Sequence, residues 1–289
     1  MKIAILGIGL MGYPIGRRLC EAGLNVQVWN RTRSKAERLQ ALGATVHDTP
    51  SQAVAQADVV ITLLDHGAVV ADALFAQGAA AALRSDSLFI DMSSIKPIEA
   101  RDHAARLSEM GVNYLDAPVS GGTVGAEQGT LAIMAGGNAT DFARALPVFQ
   151  HLGRATHVGP TGAGQLAKLA NQMIVGITIG AVAEALLLCE RGGADMAKVK
   201  EAISGGFAES RVLQVHGQRM VERDFAPRAR MALQLKDLRN ALSTAQEIGF
   251  DAPITRLFEQ LNAEGIEHGL ADLDHAGLFV ELASRNGMT

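Results

Sequence analysis

Three glycines near the start of the chain have a spacing that could serve phosphate binding. Gly7, Gly9 and Gly12 follow an apolar run of strand type and open a helical pattern. In such a strand–turn–helix the first glycine permits a tight turn, the second admits a pyrophosphate, and the third lets helix and strand pack closely. Free N–H groups and the dipole at the helix start favour phosphate. We therefore predict a dinucleotide site rather than a purely structural turn, with contacts from Gly7, Gly9, Leu10, Met11 and Gly12.

A lysine and two amides share one face of a later helical segment. Lys168, Asn171 and Gln172 stand at positions i, i+3 and i+4 of an otherwise apolar stretch. Buried polar groups need partners. These residues therefore either belong to a site or mark a domain boundary where the lysine reaches solvent. Lys236 interrupts a second apolar stripe in the same way.

Two polar loops follow strands that should end at the same edge of a sheet as the glycines. One contains Ser94, and the other contains Ser120, Gly121 and Gly122. Ligands of open parallel sheets bind outside the carboxyl ends of the strands. The Ser120 hydroxyl and the two glycine N–H groups could form an anion-binding concavity, although a simple turn fits the same residues. No cluster of His, Cys and Asp has metal-ligand spacing, so we predict no metal site.

An α/β domain must position these residues. Apolar runs of strand type alternate with helical patterns, and the runs lie at 3–6, 26–29, 59–64, 88–91, 114–116, 131–135 and 155–158. This alternation predicts a Rossmann-type doubly wound sheet with helices on both faces. The later strands are closer together in the chain, so we expect the connectivity of the sheet to change near residue 112.

The pattern becomes helical after residue 162. Helices are predicted at 163–191, 196–203, 210–222, 228–248, 253–267 and 273–285. We therefore predict an NAD(P)-binding domain over 1–162 and an all-α substrate and oligomerisation domain over 163–289, joined by one long helix.

Composition excludes several partners. The formal charge is −4 with no basic run, so nucleic acid is not expected. The apolar stretch 173–188 is shorter than the roughly 20 residues that a bilayer requires and contains Glu184, which predicts a buried core helix and no membrane. The two cysteines, Cys20 and Cys189, are predicted to be free thiols in a reducing cytoplasm.

The end of the second predicted strand bears on the choice of dinucleotide. An acidic residue at this place binds the ribose hydroxyls in NAD-preferring sites. Here the strand ends in Asn30, Arg31 and Thr32, so no carboxylate repels a 2′-phosphate and Arg31 offers a planar donor fork. We predict NADP in preference to NAD. A solvated loop arginine is the alternative interpretation of Arg31.

Four segments together resemble the β-hydroxyacid dehydrogenases, the family of 3-hydroxyisobutyrate dehydrogenase. They are residues 7–14 (GIGLMGYP), 116–122 (DAPVSGG), 162–172 (GAGQLAKLANQ) and 235–237 (LKD). The pair Asn171–Gln172, the segment 205–210 and the ending at 274–276 resemble the tartronate semialdehyde reductase branch.

The resemblance implies roles for residues of this chain. Lys168 matches the catalytic lysine, a general acid and base, and Asn171 matches a catalytic amide. The substrate-binding positions implied are Ser120, Gly121, Gly122, Gln172 and Lys236, and the further cofactor-binding positions implied are Leu63, Leu64, Ser94 and Lys236. Asn30, Arg31 and Thr32 are predicted to bind the cofactor from their place at the end of the second strand, and they depart from the acidic ending of NAD-using members. Leu64–Asp65 departs from the Leu–Pro pair common in the family.

The implied activity is the reversible, NAD(P)-dependent reduction of a short 3-oxo acid, such as tartronate semialdehyde, by a cytoplasmic homodimer or homotetramer. Alternatives within this chemistry are a 3-hydroxyisobutyrate dehydrogenase and a succinic semialdehyde or glyoxylate reductase. A 6-phosphogluconate-type enzyme would need a larger phosphate site. An imine reductase and a non-catalytic NADP-binding protein are alternatives of a different class. Lys168 weighs against both, because imine reductases usually replace it and a binding module does not need it.

Overall fold

The computed structural model describes residues 1–288. The chain divides into two compact units, the first Met1–Lys168 and the second from Leu169 onward. Each unit has its own buried apolar core.

The first unit is built on a single sheet, nine-stranded within the described residues. Its strands are β1 (Lys2–Leu6), β2 (Asn25–Trp29), β3 (Thr45–Val46), β4 (Val59–Thr62), β5 (Leu88–Asp91), β6 (Asn113–Asp116), β7 (Val119–Ser120), β8 (Leu131–Gly137) and β9 (Gly153–Gly159). The order is β3-β2-β1-β4-β5-β6-β8-β7, with β9 paired to the other side of β8. The strands from β3 to β6 are all parallel. This is the Rossmann order, with its switch point between β1 and β4.

Alternating side chains of the parallel strands feed two cores, one on each face of the sheet. In β1, Ile3 and Ile5 enter one core, whereas Ala4 and Leu6 enter the other. A strand that is buried on both faces has an uninterrupted apolar sequence, and for this reason the parallel strands could be predicted from the sequence.

Helices cover both faces of this sheet. They are α1 (Gly12–Glu21), α2 (Arg33–Glu37), α3 (Pro50–Val54), α4 (Gly67–Ala71), α5 (Ala79–Ala82), α6 (Pro97–Ser108), α7 (Gly122–Gln128) and α8 (Ala139–Phe149). Between α4 and α5, Asp72–Ala76 forms a π-helical turn, and Gln40–Leu42 forms a 3-10 turn after α2.

The predicted fold class is confirmed, and the differences are local. The strands β3 and β7 have two residues each and were not predicted, nor were α3, α7 and α8. The sequence pattern at 68–82 is typical of one helix, but the structure has separate elements there, because Gly78 adopts a left-handed conformation with φ +76°. The sheet changes direction after β6, since Leu115 and Asp116 pair antiparallel with β8.

The second unit is helical. After α9 (Ala163–Arg191) it contains α10 (Met196–Ile203), α11 (Gln218–Glu222), α12 (Met231–Glu247), α13 (Pro253–Glu267) and α14 (Leu278–Arg285). A π-helical turn at Leu213–Gly217 precedes α11, and a 3-10 turn at His275–Gly277 precedes α14. The first six residues of α9 (163–168) belong to the first unit, so the domain limit at residue 162 stays a prediction.

Helix α9 is long and apolar enough to cross a membrane, judged by length and composition, but 44% of its most apolar window is buried. Ile179, Ala183 and Leu186 lie in the core of the second unit. Ile174 and Leu188 are mostly exposed. The helix therefore packs one face into the core of the second unit, and its other face is exposed in the single chain.

Candidate active site

The glycine turn after β1 has the geometry that the sequence predicts. Gly7 has a φ of +104°, which side chains rarely adopt, and its N–H donates to the carbonyl of Trp29 at 2.9 Å. A Cβ on Gly7 would lie 2.3 Å from the backbone oxygen of Leu63, and one on Gly12 would lie 1.9 Å from that of Gly7. These two glycines are required by the fold itself.

Gly9 has no such requirement. A Cβ built on it meets nothing within 4 Å, and Gly9 and Leu10 are exposed. Met11, at the N-cap of α1, gives no side-chain hydrogen bond to the helix. A helix start without a side-chain cap beside a glycine that the fold does not need fits a phosphate group resting on the backbone. The residues therefore fit a dinucleotide.

The loop after β2 is tied to this turn by Asn30. Its Oδ1 accepts from the N–H of Ile8 at 2.9 Å, and its Nδ2 donates to the carbonyl of Thr32 at 2.9 Å. Asn30 thus uses its amide to join the glycine turn after β1 to the loop after β2. Arg31 and Thr32 are exposed, and the Arg31 guanidinium makes no hydrogen bond or ion pair within residues 1–288.

The loops after β4 and β5 are joined through Ser93. The N–H of Leu63 donates to the Leu6 carbonyl at 2.9 Å, and that of Leu64 donates to the Ser93 hydroxyl at 3.0 Å. The Ser93 N–H donates to Asp91 Oδ1 at 2.9 Å. The neighbouring Ser94 is half-buried. The three predicted cofactor positions Leu63, Leu64 and Ser94 therefore lie on connected loops.

Asp91 anchors this arrangement from inside the protein. It is fully buried and accepts a hydrogen bond from the Thr62 hydroxyl at 2.8 Å. Burial raises the pKa of Asp91, against the hydrogen bonds from Ser93 and Thr62, which lower it. Burial also lowers the pKa of the nearby His103. A carboxylate held in this way fixes the path of the chain as it leaves β5.

Asp116, at the end of β6, holds the start of α9. It is fully buried, and its carboxylate accepts from the N–H of Gly162 at 2.7 Å and from that of Gln165 at 2.8 Å. Burial raises the pKa of Asp116 to about 6, although these backbone hydrogen bonds lower it. Gly164 permits the contact, because a Cβ there would lie 2.3 Å from the Asp116 carbonyl oxygen and 2.4 Å from that of Met134.

The side chain of Gln165 makes a second connection from α9. Its Oε1 accepts from the N–H of Ile95 at 3.1 Å, and its Nε2 donates to the carbonyl of Ser93 at 2.8 Å. Lys168 follows three residues later, half-buried, as the last residue of the first unit. The strand ends that carry the nucleotide loops therefore also fix the helical turn that leads to Lys168.

The predicted carboxylate loop leaves β7 at Ser120. Gly121 has a φ of +138° and Gly122 of +62°, and both are exposed. Only glycine adopts the first conformation readily. A Cβ on Gly122 meets nothing within 4 Å, so space remains beside its backbone. The loop fits an anion-binding concavity of a hydroxyl and backbone N–H groups.

The remaining predicted residues form a network inside the second unit. Asn171 Nδ2 donates to Gln172 Oε1 at 2.9 Å, and Gln172 Nε2 donates to Asp237 Oδ2 at 2.7 Å. Lys236 Nζ lies 3.2 Å from Asp237 Oδ1. Gln234 Nε2 donates to the backbone carbonyl of Gln172 at 3.1 Å. These predicted amides and the lysine are thus joined through Asp237, which sequence reasoning did not single out.

Comparison with known proteins decides the family. The family model for the NAD binding domain of 6-phosphogluconate dehydrogenase matches residues 2–160. The model for the NAD-binding region of NADP-dependent 3-hydroxyisobutyrate dehydrogenase matches residues 162–281. The 2-hydroxy-3-oxopropionate reductase of Escherichia coli is 41% identical over 284 residues, covering 98% of this chain and 97% of the relative. The chain belongs to the β-hydroxyacid dehydrogenase family.

Other members agree along the whole chain. A 3-hydroxyisobutyrate dehydrogenase of Pseudomonas aeruginosa is 36% identical over 285 residues, covering 96% of this chain and 95% of the relative. The structure of 3-hydroxyisobutyrate dehydrogenase of Mycobacterium tuberculosis with L-serine matches with a TM-score of 0.90 at 34% identity, covering 97% and 98% of the two chains. The protein is therefore an NAD(P)-dependent oxidoreductase that acts on hydroxyl groups.

Several residues that support the candidate site were not singled out in the sequence. Ser93, Gln165 and Asp91 were not assigned roles, and Asp116 was noted only as part of a motif. The available signal was a set of polar residues directly after apolar strands, where burial forces hydrogen bonding. No group of His, Cys, Asp and Glu within residues 1–288 is arranged to hold a metal ion.

Proposed function

We propose that this dehydrogenase interconverts a short 3-oxo acid and its 3-hydroxy acid, with tartronate semialdehyde as substrate and Lys168 as general acid and base. The observation that carries the proposal is the anchoring of the first turn of α9 by Asp116 and Gln165. That anchoring fixes the approach to a lysine beside the loops predicted to hold the dinucleotide. The activity named for the Escherichia coli relative supports the substrate class.

The bound dinucleotide supplies hydride in reduction and accepts it in oxidation. The Ser120 hydroxyl and the N–H groups of Gly121 and Gly122 bind the substrate carboxylate and orient the carbon that reacts. Lys168 Nζ donates a proton to the carbonyl oxygen as negative charge develops there, and takes it back in the reverse direction. Arginine could not do both, since it keeps its proton in proteins.

The remaining predicted substrate residues are proposed to act on the same small molecule. Asn171 and Gln172 orient the reacting groups through their amides, and Lys236 adds positive charge that favours a carboxylate substrate. Their hydrogen bonds through Asp237 support this role, because a fixed amide loses less entropy when it binds.

For the cofactor we propose NADP in preference to NAD. Arg31 is exposed and makes no hydrogen bond or ion pair within residues 1–288, so its guanidinium is available for a 2′-phosphate. Asn30, where an acidic residue would mark an NAD site, is held by the backbone on both sides. Arg31→Ala should lower the NADPH-over-NADH ratio of kcat/KM by about tenfold or more. A wild-type enzyme that clearly prefers NADH would contradict this assignment.

The proposed role of Lys168 is tested by Lys168→Ala and Lys168→Arg. Both variants should bind the dinucleotide with a Kd within about twofold of wild type and lose about 100-fold or more in kcat. The arginine variant keeps the positive charge but cannot release a proton at neutral pH, so it separates proton transfer from electrostatic attraction. Near-normal kcat in Lys168→Ala would end the assignment.

The second candidate is a 3-hydroxyisobutyrate dehydrogenase, because the Pseudomonas aeruginosa relative and the Mycobacterium tuberculosis structure carry that name. Succinic semialdehyde and glyoxylate are further possible substrates. A panel of tartronate, succinic and methylmalonate semialdehydes and glyoxylate, each with NADPH and NADH, ranks them by kcat/KM. An imine reductase or a non-catalytic binder is disfavoured by Lys168, and imine reduction without aldehyde reduction would reverse that view.

We also propose a cytoplasmic homodimer or homotetramer. The second unit exposes several large apolar side chains near the junction of α12 and α13: Ile248, Phe250, Ile254 and Leu257, each between 55% and 64% exposed. Clustered exposed apolar residues are typical of protein–protein contacts. Light scattering after size-exclusion chromatography measures the assembly directly, and a monomer at micromolar concentration would contradict it.

A further inference from the structure

Gln165 engages both ends of its side-chain amide and its backbone N–H in hydrogen bonds. The side chain is fully buried. It accepts from Ile95 N–H at 3.1 Å and donates to the Ser93 carbonyl at 2.8 Å. Its own N–H donates to Asp116 at 2.8 Å. One residue therefore joins α9 to the chain that leaves β5 and to the end of β6.

The partners of Gln165 are themselves fixed. Ser93 receives a hydrogen bond from Leu64 at its hydroxyl and gives one to Asp91 from its N–H. The Asp91 carboxylate is fully buried. A displacement of Gln165 would consequently be resisted by the ends of three adjacent strands, β4, β5 and β6. Such a fully satisfied buried network rigidifies its surroundings.

This connection matters because Lys168 lies one helical turn further along α9. The side chains of a helix reach about 5–6 Å from its axis. A rotation of the helix start by about 10° would therefore move the lysine Nζ by about 1 Å, and a misplacement of that size can cost about 100-fold in rate. Neither Asp116 nor Gly164 bonds to the Ser93–Ile95 segment in the way that Gln165 does.

We propose that Gln165 is a positioning residue of the reaction: it sets the rotation of the first turn of α9, and with it the place of Lys168, relative to the segment after β5. The proposal rests on the function proposed above for Lys168. It assigns Gln165 no contact with substrate.

Gln165→Met and Gln165→Glu test the proposal, with Gln27→Met as the matched control. Gln27 is also a buried glutamine of the first unit whose amide bonds to side chains, Asn25 at 2.6 Å and His47 at 2.8 Å. The measurements are kcat and KM per dinucleotide-binding site, the dinucleotide Kd, and hydrogen–deuterium exchange over residues 160–172. Lys168→Ala is included in the same panel.

Gln165→Met should lower kcat by about 10- to 100-fold with KM and Kd within about threefold, and should raise exchange at the start of α9. Gln165→Glu keeps the acceptor for Ile95 but places an oxygen against the Ser93 carbonyl. It should regain activity relative to wild type as the pH falls, because a protonated carboxyl can donate there. Gln165→Met gains no such recovery, and Gln27→Met keeps its kcat.

The proposal is overturned if kcat of Gln165→Met stays within about twofold of wild type. It is also overturned if Gln165→Met and Gln27→Met change kcat and the dinucleotide Kd to the same extent. Absence of low-pH recovery in Gln165→Glu also counts against it. If Lys168→Ala retains turnover, the proposed function fails instead, whatever the exchange data show for Gln165.

Discussion

Replacing Asp116 by asparagine removes a buried negative charge while keeping the shape of the side chain. The carboxylate is fully buried and caps the start of α9 through Gly162 and Gln165. Burial raises its pKa from 3.8 to about 6. The folded protein therefore binds this proton more tightly than the unfolded chain does.

The size of the effect follows from that difference in pKa. A raised pKa contributes stability that is present below 3.8 and lost as the pH rises through about 6. At about 1.4 kcal/mol for each pH unit the full contribution is about 3 kcal/mol. About 2.4 kcal/mol of it falls between about pH 4 and pH 7, because the unfolded chain already titrates at pH 4. The free energy of unfolding of wild type, minus that of Asp116→Asn, should therefore decrease by about 2.4 kcal/mol as the pH rises from 4 to 7.

Urea denaturation at several pH values measures this difference. Trp29 is the chain's one tryptophan, and it is buried in β2, so its fluorescence reports unfolding of the first unit. Asp102→Asn on α6, where the carboxylate is largely exposed, controls for the loss of one negative charge. The argument would be refuted if the difference in free energy of unfolding between wild type and Asp116→Asn stayed constant, within about 0.5 kcal/mol, from pH 4 to pH 7.

The activity of Asp116→Asn should fall although its stability at neutral pH does not. A carboxylate offers one oxygen to each of the two N–H groups, whereas an asparagine has only one oxygen to offer. At pH 7 the variant should be as stable as wild type or more so, because it no longer buries an ionised carboxylate. It should nevertheless turn over more slowly, because the lost hydrogen bond leaves the start of α9 in a less defined position. A variant that gains stability and keeps full kcat would show that the second hydrogen bond is dispensable.

Other substitutions separate the fold from the site. Gly9→Ala should weaken NADPH binding about tenfold or more with little loss of stability, because its Cβ meets no protein atom. Gly12→Ala should destabilise the first unit, because its Cβ would lie 1.9 Å from the Gly7 oxygen. Titration with NADPH and thermal melting of both variants measure these effects. In the second unit, burial alone would raise the pKa of Asp274, but nearby His216, Arg219 and backbone N–H groups lower it more strongly, so that its net pKa lies well below the usual range. This stability is lost as the pH falls below about 4, and Asp274→Asn should cost about 3 kcal/mol, measured by urea denaturation at pH 7. Wild-type NADPH affinity in Gly9→Ala, wild-type stability in Gly12→Ala, or wild-type stability in Asp274→Asn would contradict these expectations.

The central sheet could be predicted because burial on both faces makes its strands continuously apolar. Residues 3–6 and 88–91 were predicted almost to the residue. The strands β3 and β7, of two residues each, are too short for any period to develop. Helix α7 is seven residues long and contains two glycines, so its pattern resembles that of a loop.

The site was predictable where the backbone itself is constrained. Gly7 and Gly12 are forced by contacts with Leu63 and Gly7, and such constraints leave a fixed spacing in the sequence. Ser93 and Gln165 were not predicted because their importance comes from a hydrogen bond between residues 72 positions apart. Nothing in local composition distinguishes a buried glutamine that bonds at both ends from a surface glutamine in the same helix.

Asp116 and Gln165 act on the same turn of α9 by different means. Asp116 fixes where the helix begins, because it takes the N–H groups of Gly162 and Gln165. It bonds close to the helix axis and so leaves rotation about that axis less restrained, whereas the Gln165 side chain reaches away from the axis to Ser93 and Ile95. If both restraints are needed, Asp116→Asn and Gln165→Met together should lower kcat by less than the product of the two separate effects, because either change alone already frees the turn that carries Lys168. Fully multiplicative effects would mean that the two residues hold the lysine independently.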